Sequence, residues 1–146
     1  MIEESIYGDD SPAVQSHLSI TQAVIQRMAS NSSSCKAWCI TLVSAILVIV
    51  ADKGKPQYVL IAIVPTILFL VLDTYYLSLE RCFRKSYNNF IEKLHTKRIV
   101  ATDLYAVMPA GSVVRTFFKS LGSFSVWPFY ATLGFMILVV KYIIIP

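Results

Sequence analysis

The chain has 146 residues, of which 55% are hydrophobic and only 15% charged, and a formal net charge of +4. An average soluble domain carries roughly 25% charged residues, so the composition argues against an ordinary soluble domain. In so apolar a chain the basic excess records membrane orientation, and no nucleic-acid partner is expected.

Residues 1–16 contain Glu3, Glu4, Asp9 and Asp10 with no basic stretch and no apolar core, so a cleaved leader is not expected. Ser11-Pro12 reads as a helix start, with serine as N-cap and proline in the first turn. Val14, Leu18, Thr21, Ile25 and Met28 then recur at spacings of four and three, with Ile20 and Val24 widening the stripe. This amphipathic helix is expected to end at Asn31-Ser32-Ser33-Ser34. Residues 1–34 are thus a cytosolic tail and helix.

Residues 35–77 read as a transmembrane helical hairpin. The first span, Cys35 to Ala51, is about 25 Å long against roughly 30 Å of hydrocarbon, a mismatch that Lys36 and Lys53 ease by snorkelling. Asp52-Lys53-Gly54-Lys55-Pro56 carries the glycine and proline of a tight turn. The second span begins near Tyr58 and holds Pro65 at its centre, where a kink is expected. No breaker follows before His95, so this span should continue into the cytosol as one long helix.

Residues 78–123 form the cytosolic part. The long helix carries Leu79, Phe83, Tyr87, Phe90, Ile91 and Leu94 on one stripe, with basic and amide residues elsewhere. Such a stripe needs a cover: the residue 14–28 helix first, another copy of the chain next. Residues 99–111 are expected to be irregular. Ser112 to Leu121 reads as a short interfacial helix, apolar through Val113, Val114, Phe117, Phe118 and Leu121 and basic through Arg115 and Lys119. Gly122-Ser123 is the elbow into a third span within residues 124–146.

The expected fold is therefore an all-α integral membrane protein with three transmembrane helices, amphipathic cytosolic helices, and a second span continuing as a long cytosolic helix. Arg27, Lys36, Arg81, Arg84, Lys85, Lys93, Lys97, Arg98, Arg115 and Lys119 fall on one side of it, and Lys53, Lys55 and Lys141 on or near the other. That bias predicts a cytoplasmic N-terminus and an external C-terminus in the inner membrane. Trp38, Tyr75, Tyr76, Trp127 and Tyr130 would mark the inner interface.

Few residues suggest chemistry. Asp73, an acid within an apolar span, is a functional candidate by default, and its plain reading is a pairing with Lys36 or Arg81. Together with Pro65 it is the expected place for gating. Thr41, Ser44, Thr66 and Thr132 are expected to hydrogen-bond their own backbone or a neighbouring helix. Arg84, Lys85, Lys97, Arg98 and Arg115 could grip an anionic ligand or acidic partner, although lipid headgroups also explain the cluster. Leu79, Phe83, Tyr87, Phe90 and Leu94 are the expected oligomerisation face. Cys35, Cys39 and Cys82 are expected to be unpaired thiols, and neither metal nor cofactor is expected. No GxSxG, HExxH, CxxC or Walker pattern occurs, so the chain is not expected to be an enzyme.

Arg27-Met28-Ala29-Ser30-Asn31-Ser32, Lys36-Ala37-Trp38-Cys39, Ala51-Asp52-Lys53, Leu72-Asp73-Thr74-Tyr75-Tyr76-Leu77, Leu79-Glu80-Arg81 and the run Ser123 to Tyr130 carry a resemblance. They resemble an uncharacterised group of small bacterial multi-span inner-membrane proteins. In plan the chain is similar to two-transmembrane effectors of antiphage defence, from which its third span departs. The resemblance implies a homo-oligomer that permeabilises the membrane on a nucleotide or protein signal. The competing expectation is a non-lytic anchor or accessory subunit that docks a soluble partner through its cytosolic helices.

Overall fold

The computed structural model describes residues 8–144; the acidic start of the tail and the last two residues lie outside it. Helix α1 runs without interruption from Pro12 to Lys53. At 1.5 Å per residue its 42 residues span about 63 Å. Gly54 stops it in the left-handed conformation, φ +60°, and donates its N–H to the Ala51 carbonyl. A 3-10 helix, Pro56–Ala62, leads into α2, Ile63–His95. α1 and α2 pack antiparallel along most of their length.

The expected break at Asn31–Ser34 does not occur. Neither proline nor glycine lies in this stretch, and serine and asparagine weaken a helix by only about 0.5 kcal/mol each. Packing offsets that cost. Val14, His17, Thr21, Met28, Ser32, Cys35, Cys39, Val43, Leu47 and Val50 are all buried, so one seam at spacings of three, four and seven runs through the serine-rich stretch. Leu18, Val24 and Ile25 border that seam half-buried, and Ile20 is exposed.

Pro65 is also placed differently from expectation. It lies in the first turn of α2, just after the helix widens from 3-10 to α geometry at Ile63. There its missing N–H removes no interior hydrogen bond, so the expected mid-helix kink is replaced by a change of helix type. Beyond it α2 continues unbroken to His95, as the lack of breakers predicts.

The connection from Thr96 to Ser112 is irregular, with a 3-10 turn at Ala101–Asp103. It covers the far end of the hairpin, where Ile99 joins Val14, Phe90 and Leu94 in a small core bordered by Leu18 and Leu104. It then doubles back along α2, where the Ala110 N–H donates to the Cys82 carbonyl at 3.1 Å. Helix α3, Val113–Leu121, is capped by the Ser112 hydroxyl, which accepts the Arg115 N–H. After the elbow at Gly122 comes α4, Trp127–Val139, ending in a π turn at Val140–Ile144. The larger core lies between α1, the 3-10 helix, α2 and α4, around Cys39, Val43, Val59, Leu77, Val126, Leu133 and Ile137.

Two helical stretches, Pro12–Lys53 and Pro56–His95, are long and apolar enough to cross a membrane; the apolar helix Trp127–Ile143 is shorter. Only 28% and 22% of the most apolar windows of the two long ones are buried. A core helix of a soluble protein would be mostly covered. Here Val48, Ile49, Val64, Ile67, Leu68, Phe135 and Leu138 face outward instead.

Candidate functional site

The outer surface of the α1–α2 hairpin changes character partway along. On α1 the exposed residues up to Ser34 are mainly polar, and from Trp38 onward mainly apolar. On the 3-10 helix and α2 the exposed residues from Leu60 to Tyr75 are apolar, and from Arg84 onward polar. At the level of the change a polar cluster joins the two helices. Asp73 is completely buried, and its Oδ2 lies 2.6 Å from Lys36 Nζ. Ser32 Oγ donates to Asp73 Oδ1.

Helix periodicity builds this node. Ser32 and Lys36 are four residues apart and so share a face of α1, and that face meets Asp73 across the seam. The Lys36 side chain keeps 22% of its surface exposed, so its stem crosses apolar surface while its head reaches the buried carboxylate. Of the two partners expected for Asp73, the fold supplies Lys36. Arg81 serves elsewhere, donating from Nη1 to Ser120 Oγ at 3.0 Å and from Nη2 to Ser123 Oγ at 2.7 Å. These bonds tether α3 and its elbow beside α2. Cys82 supports the same junction, with Sγ 3.6 Å from Thr116 Oγ1.

The threonines of the apolar half satisfy themselves. Thr41, Thr66, Thr74 and Thr132 each donate a hydroxyl to the carbonyl four residues earlier, at 2.7–2.8 Å. For Thr41, Thr66 and Thr132 this is the backbone bonding the sequence leads one to expect, whereas Ser44 is exposed and makes no hydrogen bond among the described residues. Cys35, Cys39 and Cys82 are buried free thiols.

The basic residues singled out in the sequence do not all converge. Arg84 pairs with Glu80 at 2.7 Å on the exposed side of α2, and Lys85 faces Gly111. Arg115 adjoins Thr116, level with Cys82, whereas Lys97 caps the helix end at Leu94. Twelve residues of helix, about 18 Å, separate those levels, so Lys97-Arg98 and Arg115 share no site. Arg84 does border a polar groove of about 620 Å³ with Ser19, Gln22, Gln26, Tyr87 and Asn88. Across it Gln22 Nε2 donates to Tyr87 Oη at 3.1 Å.

Within the stripe expected to oligomerise, Phe90 and Leu94 are buried against Val14, while Leu79, Phe83 and Tyr87 are half-buried. The first of the two expected covers, the N-terminal half of α1, is therefore present within one chain. The Phe90 ring stacks on His17 at 4.2 Å. His17 in turn accepts the Tyr105 N–H on Nδ1 at 2.9 Å. Sequence reasoning passed over His17 and Ser32, although both stand in register with the buried stripe. No known protein family, curated protein or solved structure matches the chain.

Proposed function

We propose that the chain is an integral membrane protein that works as a homo-oligomeric effector of the bacterial inner membrane. Copies assemble side by side, and rearrangement about the Lys36–Asp73 node lets the bilayer leak. The observation that carries this reading is the node itself. A fully buried carboxylate and its lysine join two long helices at the point where their surface turns apolar. Ionisable groups are expensive at such a position and are retained mainly where they do something.

In this reading the exposed apolar half spans the bilayer, α4 forms a third span, and α3 lies on the inner leaflet. The N-terminus is cytoplasmic and the C-terminus external, in keeping with the basic bias of residues 27–119. The α3 surface supports the placement, because Val114 and Phe118 are 67% and 69% exposed beside the exposed Arg115 and Lys119, an apolar and basic surface suited to the headgroup boundary. A protein or nucleotide trigger and a role in antiphage defence rest on the resemblance alone.

The test is membrane potential and uptake of an excluded dye during controlled expression, with and without phage infection. Removing one partner of a buried pair costs about 3–5 kcal/mol, whereas an apolar replacement of both is close to neutral. Asp73→Asn is therefore compared with the double variant Lys36→Met/Asp73→Leu at equal membrane level. Depolarisation by the parent chain and none by the folded double variant supports gating at the node. Depolarisation by both removes the node from the mechanism.

A second reading has its own support in the polar groove of the stalk, where Gln22, Gln26, Asn88, Tyr87 and Arg84 offer hydrogen bonds to a soluble partner. A membrane intact under every condition, with a partner retained by the parent chain and lost on Gln26→Ala/Arg84→Ala, would establish this anchor role instead.

A further inference from the structure

Within the apolar half, α2, α3 and α4 border a crevice of about 420 Å³. Thr66 and Leu70 form its α2 wall, Phe118 and Leu121 its α3 wall, and Trp127 and Tyr130 its α4 wall. The two hydroxyls there are already engaged: Thr66 Oγ1 donates to the Ala62 carbonyl at 2.8 Å and Tyr130 Oη to the Phe69 carbonyl at 3.0 Å. No hydroxyl proton is left for a polar ligand, so the lining suits an aliphatic occupant.

We infer that this crevice holds one acyl chain of an anionic phospholipid whose headgroup rests on Arg115 and Lys119. The inference builds on the membrane reading above. Phe118 and Trp127 are 69% and 66% exposed, so the crevice opens sideways and a tail enters it directly from the leaflet. Its direction fits. α3 is tethered at Arg81, whereas Thr66 lies fifteen residues earlier on α2, about 22 Å away. The crevice thus leads from the basic helix toward the middle of the apolar half, as a lipid leads from headgroup to tail.

Charge complements shape. From Leu104 to the last residue the sequence contains no Asp or Glu, and its cations are Arg115, Lys119 and Lys141. Arg115 and Lys119 stand one turn apart on the exposed face of α3. Among the described residues neither takes part in an ion pair, the three pairs there being Lys36–Asp73, Arg84–Glu80 and Lys93–Asp103. One phosphate can meet both, and a zwitterionic headgroup would bring a cation toward them.

The test uses the full chain with Trp38→Phe, which leaves Trp127 as its single tryptophan. It is reconstituted into phosphatidylcholine vesicles containing either phosphatidylglycerol or phosphatidylcholine with brominated tails. Brominated phosphatidylglycerol is expected to quench Trp127 at about a fivefold lower mole fraction than brominated phosphatidylcholine. Arg115→Gln/Lys119→Gln should abolish that preference, and Arg84→Gln/Lys85→Gln should leave it in place. Ala131→Phe, which fills the crevice, should weaken quenching by both lipids. Equal quenching by the two lipids in the parent chain, or a preference that survives Arg115→Gln/Lys119→Gln, would overturn the inference while leaving the membrane reading intact. Absence of quenching by either lipid, with failure to float with the vesicles, would overturn both.

Discussion

At position 17 a histidine stands in the seam of α1, 5% exposed, between the Phe90 ring and the Tyr105 N–H. Accepting that N–H on Nδ1 requires the neutral, Nε2-protonated tautomer, and burial lowers the imidazole below its ordinary 6.5, with the Asp103 carboxylate pulling the other way. The folded state therefore binds a proton less readily than the unfolded chain. The resulting stability is complete above the unfolded value and is lost as pH falls through the lower folded one. Asp103 stays ionised over that window, because the Lys93 hydrogen bond holds it below the usual carboxylate range. Between pH 7.5 and 5.5 the Tyr105 amide is expected to exchange faster with solvent than the ordinary pH dependence of exchange allows. His17→Asn keeps an acceptor without a titrating ring and should remove the excess, as amide hydrogen exchange would read. The same economy holds at Asp73, where one side chain needs both Lys36 and Ser32 to be tolerated in the interior.

Among the elements, α1 shows tertiary packing overriding local propensity. Ser33 and Ser34 are exposed, so replacing both with alanine should stabilise the helix by about 1 kcal/mol in total. Ser33→Pro should cost about 3 kcal/mol or more by breaking the helix beside the node. Thermal unfolding in detergent distinguishes the two directions. Were Asn31–Ser34 the end of a helix, as the sequence suggests, the proline would be nearly silent. α3 offers a second case, since it is held by side chains donated from another element. Arg81→Gln forfeits two charge-assisted bonds to Ser120 and Ser123, each worth about 1.5–3 kcal/mol. α3 should then separate from α2 and uncover Cys82, now 2% exposed. A hydrophilic maleimide should label Cys82 at least tenfold faster in this variant, in a chain whose Cys35 and Cys39 are alanine.

For the molecule as a whole, the hairpin has a polar end and an apolar end, with Lys36–Asp73 joining its two helices at the boundary and Arg81 holding the α3 elbow beside α2. A buried tie between the two helices at that boundary should make the halves unfold together. Asp73→Asn is accordingly expected to lower the melting temperature of both tryptophan fluorescence, which reports the apolar half, and protease resistance at Arg84 and Lys85, in the polar half. The orientation proposed here predicts that a cysteine added at position 10 is labelled only after the inner membrane is opened, while one replacing Lys55 is labelled in intact spheroplasts. The reverse pattern would invert the topology.

Much of this was legible from composition and period alone. The helical class, the turn at Gly54, the unbroken run to His95, the short helix ending at Leu121 and the pairing of Asp73 with a nearby cation all follow from local chemistry. Spacings of three and four, a glycine two residues before a proline and an uncompensated acid in an apolar stretch are each sequence-local facts. Other features depended on contacts between distant residues. Whether Asn31–Ser34 would break a helix was decided by the seam that buries Ser32 against Asp73, 41 residues away. Whether Phe90 and Leu94 would be free was decided by α1 reaching back to cover them, and whether the basic residues would form one site was decided by the 18 Å that α2 sets between them. Periodicity shows which face of a helix is apolar; only the fold determines what that face meets, because burial energy belongs to the pair of surfaces rather than to either one.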